Sequence, residues 1–192
     1  LSVLLLFVFC TPKEEKLKDG DIVFQVMNSR QGDAIKLATH SKFTHVGIVF
    51  IKNGEEYVME AVQPVRYKKF SEWIKQGEDN YYVVKRLKDK KLSAEVIARM
   101  KAEGEKLLNK NYDIYFNWSD SEIYCSELVW KLYKRGANIE ICPLKQLKDF
   151  DLKAPIVKKI MKERYGNKIP LDEKVVAPSD LFESELLVEV EM

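Results

Sequence analysis

The 192 residues are enough for one domain with a substantial core, and 46% of them are hydrophobic. The 32 basic and 30 acidic residues leave a formal net charge of +2 with no clustered basic excess, which argues against a nucleic-acid footprint. The three cysteines, Cys10, Cys125 and Cys142, form neither a disulfide framework nor the close pair of a zinc site, so no metal or organic cofactor is expected.

The chain opens with an apolar run from Leu1 to Cys10 that is too short to cross a bilayer as a helix. It reads as the hydrophobic core of a signal peptide, followed by a polar tether to residue 16. Cys10 directly after the run suggests a lipoprotein signal, although Phe9 stands where a small residue is usual. A plain signal peptide, or a terminal strand or helix packed on the body, are the other readings. The expectation is an exported protein of the periplasm or cell envelope, tethered to a membrane through Cys10 if that residue is acylated. Residues 1–16 are then a signal-like segment and residues 17–192 a single functional domain.

Asp21 to Val26 reads as a strand and Gly32 to Thr39 as a short helix, with His40 in the polar loop at its end. Phe43 to Ile51 is rich in β-branched residues and reads as a second strand, with His45 near its start, where side chains reach into clefts. Asn53-Gly54 is a strong hairpin signal, and Glu56 to Val62 is the return strand. Counting back from the turn pairs Glu60 with Val46 or His45. A carboxylate among Val58, Met59, Ala61 and Val62 calls for a partner, unless it faces solvent on an alternating strand.

Tyr81 to Leu87 is a further strand, and Ser93 to Leu108 a helix capped by Ser93. The lysines from Lys85 to Lys91 read as a solvated face. Asn109 to Trp118 is a loop rich in aromatics that leads into the Cys125 region; it walls a cleft or fills core. Asp120 or Ser121 can cap an amphipathic helix with Cys125 in its first turn and Ile123, Leu128, Trp130 and Leu132 on its apolar side. Cys142 before Pro143 reads as structural; a bridge between Cys142 and Cys125 would consume the thiol. Lys153 to Tyr165 reads as a helix after Pro155, Val175 to Phe182 as a loop and short helix, and Leu186 to Val190 as an edge strand. Strands and helices without a regular βαβ rhythm indicate an α+β fold, with helices on an antiparallel sheet.

The chemistry centres on Cys125. In a first helical turn, unpaired backbone N–H groups and the positive end of the helix dipole favour a thiolate and can hold an oxyanion. Taken alone, Cys125 reads equally as a small buried hydrophobe. Only two histidines exist, His40 and His45. His45 is the candidate base and Glu60 the residue that orients it, a nucleophile–base–orienter arrangement built on a thiol. Tyr112, Trp118 and Tyr124 are the candidate substrate-binding residues, and no metal ligands are expected.

Four segments in order carry a resemblance: Leu17 to Phe24, Thr44-His45-Val46-Gly47-Ile48-Val49, Val58-Met59-Glu60-Ala61, and Tyr124-Cys125-Ser126-Glu127-Leu128-Val129. They resemble the permuted papain-like amidases, the YiiX-like branch of the NlpC/P60 superfamily, over roughly residues 17 to 190. In ordinary papain-like folds the cysteine helix precedes the histidine strand; here His45 and Glu60 come first, which is the circularly permuted order. The resemblance implies Cys125 as nucleophile, His45 as base and Glu60 as orienting residue. It also implies a thiol hydrolase that cleaves an amide in a cell-wall peptide or a small acyl–amino-acid conjugate. Two other readings stay open: a thiol acyltransferase, which passes the acyl group from Cys125 to an amine or alcohol, and a non-catalytic ligand-binding domain that keeps the fold.

Overall fold

The computed structural model describes residues 15–192. The readings of the apolar run and of Cys10 lie outside the described residues. Among the described residues, no helix is long and apolar enough to cross a membrane.

The described residues hold eight strands: β1 (Ile22–Gln25), β2 (His45–Lys52), β3 (Glu55–Glu60), β4 (Arg66–Lys69), β5 (Tyr82–Leu87), β6 (Lys145–Gln146), β7 (Lys174–Val175) and β8 (Leu187–Val190). Six of them form an antiparallel sheet in the order β4-β3-β2-β1-β5-β8, and β6 pairs with β7 in a second, two-stranded sheet. The helices are α1 (Arg30–Thr39), α2 (Phe70–Ile74), α3 (Ala94–Glu105), α4 (Cys125–Leu132), α5 (Pro155–Tyr165) and α6 (Pro178–Phe182). The layout is α+β, as the sequence implies.

Alternation along β2 divides the interior. Val46, Ile48 and Phe50 enter the main core with Met59, Leu128 and Leu132, under α3 and α4. Val49 points the other way, into a smaller cluster with Val23, Val58, Phe70 and Trp73 beneath α2. A third cluster joins Ala34 of α1, Val157, Ile160 and Met161 of α5, Leu147 and Val175. It forms a separate wall in front of the start of α4.

The hairpin turn takes the form its residues favour. Asn53 and Gly54 have φ of 53° and 80°, the two positive values a two-residue β-hairpin turn of the I′ type requires. The register pairs Ile48 with Met59, so the next pair places Glu60 across from Gly47 and not across from Val46 or His45. Because opposed residues share a face and the side-chain period is two, His45 and Glu60 lie on the same face as diagonal neighbours. Gly47 leaves the space between them open; a Cβ there would meet Val58 Cγ1 at 2.3 Å and Glu60 Cβ at 3.7 Å.

The helix that carries Cys125 departs most from expectation. It begins at Cys125 with Tyr124 as its cap, not at Asp120 or Ser121. Those two are engaged elsewhere: Asp120 binds Lys131 at 2.7 Å and Arg135 at 2.8 Å, and Ser121 Oγ pairs with Ser119 Oγ. The Glu127 carboxylate accepts the Tyr124 N–H at 3.4 Å, which closes the first turn. The helix is not amphipathic either. All eight residues are buried, including Lys131, whose ammonium lies 2.6 Å from Glu127 and 2.7 Å from Asp120. A wholly buried helix is possible only because its one cation is paired.

Smaller differences are local. Ser29 caps α1 by accepting from Gly32 N at 2.9 Å, so α1 begins before residue 32. Ser93 caps α3, which stops at Glu105. Pro155 starts α5 and β8 is an edge strand, both as read from the sequence. The β6–β7 pair lacks any sequence signal of the kind used for the longer strands. Cys125 and Cys142 are both free, so no bridge consumes the thiol.

Candidate active site

The N-terminus of α4 meets the start of β2. Cys125, the first residue of α4, is 3% exposed. Burial opposes ionisation of its thiol, yet the pKa is lowered, because the neighbouring His45 side chain, and after it the backbone N–H groups of Val46 and Ser126, favour the anion. Burial likewise opposes charge on His45. The thiol and then the Glu60 carboxylate overcome that, raising the imidazole from 6.5 to about 9. The favoured state is a thiolate–imidazolium pair.

Glu60 is fully buried and ends β3. Its Oε2 accepts from His45 Nε2 at 2.8 Å and from Trp73 Nε1 at 3.0 Å, and its Oε1 accepts from Arg66 Nε at 3.0 Å. Burial pushes this carboxyl up, but the bond from His45 and then Arg66 hold it below its ordinary value, so it is an anion. With Nε2 occupied by Glu60, His45 has Nδ1 left for the thiol. Trp73 also stacks beside the imidazole, with ring centroids 6.2 Å apart. The histidine is thus fixed on one side by a carboxylate and an indole and faces the thiol on the other.

Of the aromatic candidates, two reach the site. The Tyr112 hydroxyl accepts from Gln31 Nε2 at 2.9 Å and lines the same cavity as Cys125; burial and then the nearby thiolate push its pKa well above its ordinary value. The Tyr124 hydroxyl accepts from Val176 N at 3.2 Å, and its ring meets Phe116 edge-on. Trp118 does not line the cavity beside Cys125. It packs edge-on against Trp130 of α4, with centroids 5.3 Å apart, and belongs to the main core. His40 lies outside the site, 74% exposed at the end of α1 and 3.4 Å from Asp151.

A cavity of about 100 Å³ opens directly on Cys125. Its walls are apolar, with Ala34 and Ile35 from α1 facing Val157, Ile160 and Met161 from α5. Polar groups line it at one end, where Gln31 bonds both Tyr112 and the Arg164 guanidinium. Sequence reasoning missed Trp73, Arg66, Gln31 and Arg164. None has a local motif; each becomes visible only when α1, α2, α5 and the sheet come together.

The family model described as "permuted papain-like amidase enzyme, YaeF/YiiX, C92 family" matches residues 16–191. The chain belongs to the permuted papain-like amidases. Among members, it is 43% identical over 171 residues to the "uncharacterized protein YiiX" of Escherichia coli K12, covering 89% of this chain and 84% of that protein. A solved structure, described as that of "metalloprotein yiiX" from Escherichia coli O157:H7, superimposes with a TM-score of 0.86 at 43% identity. That match covers 90% of this chain and 96% of the other. The fold is therefore the circularly permuted papain-like one, with the histidine strand preceding the cysteine helix. The word "metalloprotein" belongs to that relative. Among the described residues of this chain, no group of three or more His, Cys, Asp or Glu side chains is arranged to hold a metal.

Proposed function

We propose that this amidase hydrolyses a small acyl–amino-acid type amide through Cys125, His45 and Glu60. The observation that carries the reading is the buried His45, held by Glu60 through Nε2 at 2.8 Å, beside a Cys125 thiol whose pKa it lowers at the start of α4. The thiolate attacks the amide carbonyl carbon. The oxyanion that forms takes its hydrogen bonds at the start of α4, from the Ser126 N–H and the Tyr112 hydroxyl. His45 then gives its proton to the departing amine, so the C–N bond breaks and a thioester remains on Cys125. Water, deprotonated by the now neutral His45, attacks the thioester; the acid leaves and the ion pair is restored. Glu60 keeps one tautomer of His45 and steadies its charge.

The apolar walls beside Cys125 favour an acyl chain over a polar wall peptide. The same proposal places the protein in the envelope, processed near Cys10 and held there by acylation. The decisive experiment uses N-lauroylglycine as probe substrate with wild type, Cys125→Ala and His45→Ala. Each substitution should lower kcat/KM by roughly 10⁴ or more, because nucleophile and base act as a unit. Unchanged hydrolysis by Cys125→Ala rejects the assignment.

A further inference from the structure

Arg164 is a half-buried cation without a carboxylate. Arg30, Arg66, Arg86 and Arg135 each sit on an acidic side chain, at 2.7, 3.0, 2.7 and 2.8 Å respectively. Among the described residues Arg99 and Arg164 sit on none; Arg99 donates to the Gly136 carbonyl at 3.1 Å, away from the cavity, whereas Arg164 lines it. Its NH2 donates to Gln31 Oε1 at 2.6 Å, and its guanidinium lies 5.3 Å from the centre of the Phe116 ring. The nearby acid, Asp113, is occupied by the backbone N–H groups of Tyr115 and Asn117, at 2.7 and 2.6 Å. A place in the last turn of α5 suits a cation through the helix dipole. The side chain nevertheless crosses to α1 and forms part of the cavity wall on which Cys125 opens. The guanidinium has five N–H donors in a planar fork, and the bond to Gln31 leaves a fork edge for another acceptor.

The position of that edge is set by the helix pair. Arg30 with Glu163 and Gln31 with Arg164 join α1 and α5 at one end, and the Asp151 N–H to Ala38 carbonyl bond of 3.0 Å joins them at the other. The helices are antiparallel, and the apolar stripe Val157, Ile160, Met161 runs from the far end up to Arg164. Gln31 also donates to the Tyr112 hydroxyl at 2.9 Å, and Arg164, Gln31 and Tyr112 line the same cavity as Cys125. An acyl chain lying along the stripe puts its carbonyl at Cys125 and the leaving amine toward Arg164.

We propose that Arg164 is a specificity residue that binds the free carboxylate of the amino acid released as the leaving group. This rests on the reading of Cys125 as the reactive thiol. The substrate is then bipolar: an apolar acyl chain on α5, and an anion just beyond the scissile nitrogen. A fork-shaped guanidinium fits a carboxylate edge to edge, and a mostly apolar surround strengthens the pairing.

The test uses two alkylating reagents that differ in charge, iodoacetate and iodoacetamide, with Cys125 labelling read by mass spectrometry. Arg164→Gln should lower the iodoacetate-to-iodoacetamide rate ratio roughly tenfold, because the cation that draws the anionic reagent is gone. Arg164→Lys should retain most of the ratio. A second arm needs no variant: N-lauroylglycine should protect wild-type Cys125 from iodoacetamide at roughly tenfold lower concentration than its uncharged glycinamide. An unchanged ratio in Arg164→Gln with brisk labelling, or equal protection by the two compounds, overturns the carboxylate anchor alone. Wild type that labels with neither reagent overturns the thiol reading and the anchor with it.

Discussion

Replacing Glu60 by glutamine removes one charge from a fully buried side chain. The amide oxygen can keep the place that accepts from His45 and Trp73, while its NH2 replaces the oxygen that accepts from Arg66, whose side chain is 42% exposed and can turn to water, so the fold should survive. What changes is His45. Burial works against its charge, while the thiol and then Glu60 together lift the imidazole from 6.5 to about 9. That rise corresponds to roughly 3 kcal/mol in favour of the imidazolium. Burial subtracts from what the thiol and the carboxylate supply, so together they contribute more than this net rise, and the share of the carboxylate is on the order of 1.5 kcal/mol, about tenfold in the protonation equilibrium. The sign follows from the mechanism. The imidazolium that protonates the leaving amine is present below the raised pKa and is lost as pH rises through it. In wild type the alkaline limb of kcat/KM should therefore fall near pH 9. In Glu60→Gln it should move down by about one pH unit, with a lower maximum. The assay is kcat/KM for N-lauroylglycine against pH for both proteins, with thermal melting to show that the variant is folded. An alkaline limb that stays in place in the folded variant refutes the orienting role of Glu60.

Four further outcomes are expected. Cys125 should alkylate near neutral pH, whereas Cys142, whose thiol burial pushes up to about 12, should stay unmodified; equal rates of labelling, read by peptide mass spectrometry, would count against the ion pair. Lys131→Met should cost stability mainly above about pH 8 in urea titrations run against pH, because burial raises the Glu127 carboxyl to about 8 and the variant then denies its anion the buried cation 2.6 Å away; a loss that does not grow with pH through that range contradicts the pairing argument. Ile160→Trp should raise KM for lauroyl substrates while sparing acetyl ones, since the indole fills the stripe that the chain would occupy; parallel effects on both chain lengths would remove the cavity from the account. Intact-mass analysis of protein from native cells should find a processed, acylated N-terminus at Cys10; an unprocessed chain in the cytosol ends the envelope proposal.

How far the sequence reaches can be judged element by element. The hairpin was legible because Asn53-Gly54 is a local rule, but the pairing of Glu60 was displaced because the strand ends at residue 60 and the turn fixes register to the residue. Cys125 at a helix start was legible from residue order. The cap was not, because Asp120 answers to Lys131 and Arg135, which lie eleven and fifteen residues away in sequence. The complete burial of α4 was hidden for the same reason: Lys131 reads as surface until Glu127 and Asp120 close on it. Trp118 and Tyr112 share one aromatic loop and look alike as sequence. The structure separates them, since Tyr112 pairs with Gln31 at the thiol and Trp118 turns to Trp130. Trp73, Gln31 and Arg164 have no motif at all; their contacts span 13 to 133 residues.

The most direct measurement is of the covalent intermediate. Protein mixed with N-lauroylglycine, quenched in acid and digested, should carry a lauroyl thioester on the Cys125 peptide. The adduct should be absent from Cys125→Ala and strongly reduced in His45→Ala. Hydrolysis by Cys125→Ala, or a lauroyl group on any other residue of an active protein, contradicts the account.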